Sequence, residues 1–217
     1  MTPEELARRH PRLYHVTRQA NLEGIRRWGL LPPAALLEQL GAPSNVQQQA
    51  LERPRPRALP VAGRGCARAV LGDNSPLHWS VLAQCLDDGL RPIDWLRMLN
   101  ARVFFFVRAA QAEAWQAMLV RKDGDAAAGV VLRFDSRQLA LSYGARMELC
   151  AYNVGSAKRS APRRGRDTFA PLLETDYAAW RWHRGKRTPD RIAEIALRGC
   201  IESTDTRVAL RGIEAAA

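Results

Sequence analysis

The chain has 217 residues, 47% of them hydrophobic, which suits one globular domain with a substantial core and excludes a disordered polymer. Its net charge is +11, and Lys122, Lys158 and Lys186 are the only lysines among 33 basic residues, so 30 are arginine. That excess fits an anionic partner, because the guanidinium fork matches phosphate, and it fits a GC-rich codon usage equally well.

The first stretch, MTPEELARRH, reads as a short helix with Thr2 as N-cap and Pro3 at the first helical position. It lacks the apolar centre of a signal peptide, and no later apolar run approaches the ~18 residues of a membrane span. Leu13 to Leu31 follows as a unit: a short strand around His15, a cap at Asn21, a helix carrying Leu22 and Ile25, and a stop at Gly29. Ala34 to Leu40 and Asn45 to Glu52 read as short helices. Arg53 to Arg57 alternates arginine with proline, which excludes a helix and predicts an exposed basic connector. No periodicity assigns Val61 to Leu71. Gly72 to Pro76 is a turn signal, and Leu77 to Leu86 and Pro92 to Leu99 are expected to be helical.

Arg102 to Val107 (RVFFFV) is the clearest strand, continuous enough to predict burial on both faces. Ala109 to Leu119 reads as a helix, Lys122 to Asp125 as a turn, Gly129 to Asp135 as a strand and Ser136 to Leu141 as a short helix. Met147 to Tyr152 is a strand with Glu148 and Cys150 on one side. Ala157 to Asp167 is a basic loop. Tyr177 to Asp190 is basic and aromatic, Arg191 to Leu197 is a strand, and a short helix near Val208 ends the chain. Short strands between loops and small helices imply a single α+β domain over residues 1–217 with a mixed, mainly antiparallel sheet.

Two features point to chemistry. Glu194 sits inside the apolar run Ile192 to Leu197, where a carboxylate is expensive to bury unless paired or used. Trp180, Trp182 and His183 stand among Arg181, Arg184, Lys186 and Arg187, so rings are available to stack on unpaired bases beside cations for phosphates. Metal sites lack support: there are only four histidines and no HExxH. Cys66, Cys85, Cys150 and Cys200 show no CxxC spacing, which predicts reduced thiols and a cytoplasmic location.

The order of the motifs resembles a known fold. The run Tyr14-His15-x-Thr17, a short gap, Asn21-Leu22-x-x-Ile25 and then Gly29-Leu30 resembles the opening of the ADP-ribosyltransferases. The likeness is greatest to the bacterial DNA-modifying toxins and weaker to RNA 2′-phosphotransferases and poly(ADP-ribose) polymerase catalytic domains. Arg102-Val103-Phe104-Phe105 resembles the "Gly-Ile-Tyr-Phe" strand of the polymerase-like members, with phenylalanine in place of the tyrosine that stacks on nicotinamide. Asp73 to His78 resembles a "Ser-Pro-Met" segment of the toxins. Together with Asn153 to Ser156 and Arg164 to Phe169, the whole order from about Leu13 to Leu210 is similar to a bacterial family of unknown function.

The resemblance implies an ADP-ribosyltransferase-like split sheet with short peripheral helices. It implies NAD as co-substrate, bound by Tyr14, His15, Thr17, Asn21, Phe104, Asn153, Arg164 and Thr168. Arg164 is expected at the pyrophosphate and His15 at a ribose. Glu194 is expected to hold the ribose 2′-OH and to stabilise the positive charge that develops as nicotinamide leaves. Trp180, Trp182, His183 and Arg184 are expected to meet the acceptor, DNA, RNA or protein. Ile192 stands where arginine-modifying members carry a second glutamate, which argues against arginine as acceptor. A non-catalytic nucleic-acid-binding module of the same fold and an RNA 2′-phosphotransferase-like enzyme are the competing readings.

Overall fold

The strand-prone runs assemble into one six-stranded sheet in the computed structural model, which describes residues 1–63, 68–74, 77–124, 129–158, 161–183 and 192–214. The strands are β1 (Arg12–Arg18), β2 (Leu59–Ala62), β3 (Arg68–Leu71), β4 (Arg102–Phe106), β5 (Gly129–Asp135), β6 (Met147–Cys150), β7 (Ala170–Pro171) and β8 (Glu194–Arg198). The sheet order is β5-β1-β4-β8-β6-β7, with antiparallel pairing between each described neighbour. Strands β2 and β3 form a separate antiparallel hairpin. The architecture is thus α+β with a mainly antiparallel open sheet.

Ten helices flank the strands among the described residues: α1 (Pro3–Arg9), α2 (Leu22–Trp28), α3 (Pro33–Gln39), α4 (Ser44–Glu52), α5 (Trp79–Cys85), α6 (Pro92–Asn100), α7 (Ala109–Asp123), α8 (Ser136–Tyr143), α9 (Tyr177–His183) and α10 (Ser203–Glu214). Their ends obey local chemistry. The Thr2 hydroxyl accepts from the Glu5 N–H at 3.1 Å, and the Asp135 carboxylate accepts from the Gln138 N–H at 3.0 Å. Gly124, at φ +70°, stops α7. Gly29, at φ +85°, does the same for α2, and a Cβ there would run into the backbone of Ile201, with which Leu30 forms a bridge.

Alternation along each strand builds a core on each side of the sheet. On one face Leu13, Phe105, Leu132, Phe134, Leu149 and Ile195 pack with Leu6 of α1 and Leu139 of α8. On the other, Cys150 and Ala196 pack with Trp95 and Leu96 of α6, Val154 and Phe169. A third cluster joins the hairpin to α3 and α4 through Leu37, Leu40, Ala50, Val61 and Leu71.

One break in the ladder shapes the molecule. Strand β1 pairs with β5 over all seven residues but meets β4 at a single position, Tyr14 opposite Phe106. Beyond that pair the strands part, and the His15 Nδ1–H donates to the Phe104 carbonyl at 2.9 Å.

Several local expectations are corrected. Strand β4 is not buried on both faces: Val103 and Phe105 are buried, while Arg102, Phe104 and Phe106 are half-buried. Asn21 occupies the N-cap position of α2, but its side chain does not cap. Its amide instead accepts from the Val70 N–H at 2.8 Å and donates to the Val70 carbonyl at 3.0 Å, standing in for a strand beside β3. Arg55, expected in an exposed connector, is buried. Its guanidinium donates to the Gly72 and Ala50 carbonyls and to Asn100 Oδ1. Lys122 and Asp123 extend α7 rather than opening a turn. The basic, aromatic stretch from Tyr177 to Asp190 begins as α9, and residues 184–191 lie outside the described residues. The last strand begins at Glu194, three residues later than expected. Cys85 and Cys200 are free thiols, and Cys66 lies outside the described residues.

Candidate functional site

The parting of β1 from β4 opens a cleft of about 510 Å³, within the size range of small-molecule sites. Strands β1, β4 and the start of β8 form its floor. Helix α2, the β3 strand with its following turn, α7 and the loop 153–158 form its walls. Register explains which side chains meet there. Tyr14, Phe106, Glu194 and Cys150 form one cross-strand row, and Phe104, Ala196 and Glu148 form the next. Members of a row share a face, so Phe104, Phe106 and Glu194 all point to the side of the sheet away from Phe105.

Glu194 is 7% exposed. One oxygen accepts from the Val154 N–H at 3.1 Å, and no cation pairs with it among the described residues. Burial pushes its carboxyl up to about 7, and the Val154 bond opposes that rise. The group therefore changes charge near neutrality, a property associated with functional carboxylates.

His15 lies within the ladder gap, its ring 5.9 Å from that of Phe105 in an edge arrangement. A carbonyl only accepts, so Nδ1 carries the hydrogen toward Phe104 and Nε2 remains an acceptor. Burial holds the imidazole below its ordinary value, so it stays neutral at pH 7. Phe104 and Phe106 line the cleft with Trp28 and Trp115, and Phe106 and Trp115 are 6.2 Å apart. Asn153 is exposed at the rim beside Ser156.

The cations of the cleft divide into two sets. Arg18 is paired with Asp123 at 2.8 Å, and Arg102 is paired with Glu148 at 2.6 Å. Arg55 is held by carbonyls, and burial draws it down to about 10. Arg68 and Lys158 are exposed at the cleft wall, and their side chains make no ion pair or hydrogen bond among the described residues. These two are available to an anion. Neither stood out in the sequence: Arg68 lies in the stretch without periodicity, and Lys158 in an arginine-rich loop.

Of the residues expected to bind NAD, His15, Thr17, Asn21, Phe104, Asn153 and Glu194 line the cleft. The Asn21 amide is spent on Val70 and Thr17, whose hydroxyl accepts from it at 3.2 Å. Tyr14 is half-buried at the point where the strands part and does not line the cleft. Arg164 and Thr168 do not line it either. Arg164 is 1% exposed between the rings of Trp95 and Tyr152, and the Thr168 hydroxyl accepts from the Gly165 N–H and meets Tyr152 Oη.

The acceptor stretch is divided as well. Trp180 belongs to the core that contains Leu149 and Ile195, on the other side of the sheet from Phe104. Trp182 is 83% exposed on α9, outside the cleft. His183 ends α9, and Arg184 lies outside the described residues. Among the described residues no group of three or more His, Cys, Asp or Glu is placed to hold a metal ion. No described helix is long and apolar enough to cross a membrane.

Comparison with curated proteins and with solved structures gives no match. Comparison with family models matches residues 11–208, nearly the whole chain, and the chain accordingly belongs to a family of unknown function, DUF7002.

Proposed function

We propose that the cleft binds NAD and that the protein transfers ADP-ribose from it to a nucleic acid. The observation that carries this reading is Glu194: a buried carboxyl without a cationic partner among the described residues, on the same cleft as His15 and Phe104. The cleft suits a dinucleotide in volume and in chemistry. Phe104, Phe106 and Trp28 offer ring faces for nicotinamide and adenine. Arg68 and Lys158, rather than Arg164, are the cations for the pyrophosphate.

NAD supplies a ribose–nicotinamide bond whose cleavage leaves positive charge on the sugar. The ionised Glu194 carboxylate stabilises that charge, and the low-dielectric surroundings that raise its pKa also strengthen the attraction. His15, neutral and fixed by Phe104, offers Nε2 to a ribose hydroxyl. The Phe104 ring covers the nicotinamide plane.

The basic surface supports nucleic acid as acceptor, since a net charge of +11 favours polyanions. Incubation with NAD and DNA, RNA or protein, followed by mass analysis of acceptor and free nicotinamide, tests the assignment. Labelling is expected with nucleic acid and lost in Glu194→Gln. Full activity in that variant overturns the catalytic role. Salt-sensitive nucleic-acid binding without nicotinamide release instead assigns a binding module.

A further inference from the structure

Arg164 is an anomaly once it is removed from the ligand site. It is 1% exposed and has no carboxylate partner among the described residues. Burial of a guanidinium is expensive, and its two ring faces and two carbonyl acceptors offset that only in part, because the Nη2 atom is also buried without a hydrogen-bond partner. An apolar side chain would fill the gap between Trp95 and Tyr152, whose ring centroids lie 5.6 Å and 5.2 Å from Cζ, at lower cost. Packing alone does not explain an arginine here.

Its remaining contacts do. Nη1 donates to the Val154 carbonyl at 3.2 Å and Nε to the Pro162 carbonyl at 3.3 Å. The Arg164 backbone is itself pinned, its N–H donating to Cys85 and its carbonyl accepting from Asp87, both at 2.8 Å. Val154 is thus held by its carbonyl from a fixed arginine while its own N–H donates to Glu194 Oε2 at 3.1 Å. The same short loop delivers Asn153 and Ser156 to the cleft.

We propose that Arg164 is a positioning residue for Glu194: it clamps the 153–156 loop at the Val154 carbonyl so that the Val154 N–H meets the buried carboxyl. The inference rests on the reading of Glu194 as the working carboxylate of the cleft. Arg164 touches neither the cleft nor Glu194, and it acts through one residue of backbone. Without the clamp, Val154 turns away and the carboxylate loses the hydrogen bond that favours its charged form.

The test follows the Glu194 carboxyl directly, by carbon NMR of protein labelled at glutamate, with Glu194→Gln identifying the signal. In Arg164→Met the titration midpoint of Glu194 is expected to rise by about 0.5 to 1, the worth of one hydrogen bond to a buried group. Arg164→Lys, which keeps the charge and a donor, should restore part of that change. Tyr152→Phe keeps the ring against Arg164 and removes only the hydroxyl, so its Glu194 should titrate as in the wild type. An unchanged midpoint in folded Arg164→Met, or an equal rise in Tyr152→Phe, overturns the proposal. If Arg164→Met does not fold, hydrogen exchange of the Val154 amide in Arg164→Gln, which removes the guanidinium, decides: faster exchange supports the clamp and an unchanged rate refutes it. Absence of nicotinamide release by the wild type defeats the NAD reading and leaves the titration result standing. Release that is present while Glu194 ignores Arg164 defeats only the clamp.

Discussion

Glu148 and Glu194 stand on the same face of neighbouring strands, Glu148 opposite Ala196 and Glu194 opposite Cys150. Both are buried, at 4% and 7% exposure. Glu148 receives two bonds from Arg102, at 2.6 and 3.1 Å, and lies 3.3 Å from Arg198. Glu194 receives one backbone N–H and no cation among the described residues. The first carboxylate is charge-compensated and fastens strands together. The second is desolvated at an open cleft with no cation beside it among the described residues. Burial is common to both glutamates; what separates them is the counter-ion, present beside Glu148 and absent beside Glu194 among the described residues.

Breaking the first member of the pair should have the largest effect. Glu148→Ala leaves the largely buried Arg102 guanidinium without its carboxylate, and is expected to destabilise the fold by about 3–5 kcal/mol in urea unfolding. A loss under 1 kcal/mol would erase the distinction between the two glutamates. Glu194→Gln is expected to leave the fold intact and to lower nicotinamide release about 10²–10³-fold, the range seen when one electrostatic partner of a transition state is deleted.

The same variant sharpens the contrast through pH. The Glu194 carboxyl is raised from its ordinary 4.5 to about 7, so the folded protein binds this proton more tightly than the unfolded chain does. Stability from this group is present at the low end of that window and falls as pH rises through it, by about 3 kcal/mol in total. Glu194→Gln should flatten that fall, seen as a smaller difference between unfolding free energies at about pH 5 and about pH 8. Activity should move the opposite way, rising toward pH 8 as the carboxylate forms.

Smaller effects belong to the cleft's other groups. His15→Ala removes the side-chain bridge to β4 and is expected to weaken NAD binding about 10-fold by calorimetry. Phe104→Tyr keeps the ring face and should change affinity least, whereas Phe104→Leu, which loses the flat ring, should weaken binding by about 1 kcal/mol.

Much of the fold was legible because it rests on local rules. Thr2, Asp135, Gly29 and Gly124 terminate helices for reasons visible within four residues. The position of Glu194 in an apolar strand was equally visible. What escaped depends on distant partners. Arg55 and Arg164 sit in stretches that read as solvated basic loops, and only Asn100 and Gly72 for one, or Trp95, Tyr152 and Val154 for the other, explain their burial. Three consecutive phenylalanines hid the alternation of β4, since the cleft face and the core face carry the same residue type. Asn21 has the right chemistry for a cap, and the edge of β3 claimed its amide first.

The single Tyr14–Phe106 pair has a consequence for mutational robustness. Past it, β1 is paired to β5 on one side and to no described strand on the other. The protein therefore carries a sheet edge in its interior, with peptide groups facing a cleft instead of solvent or a neighbouring chain. Contacts made by such an edge belong to the backbone, so most substitutions along β1 leave them in place. Side chains at the cleft are then open to change in specificity, while the main-chain edge stays constant for as long as the strands stay apart.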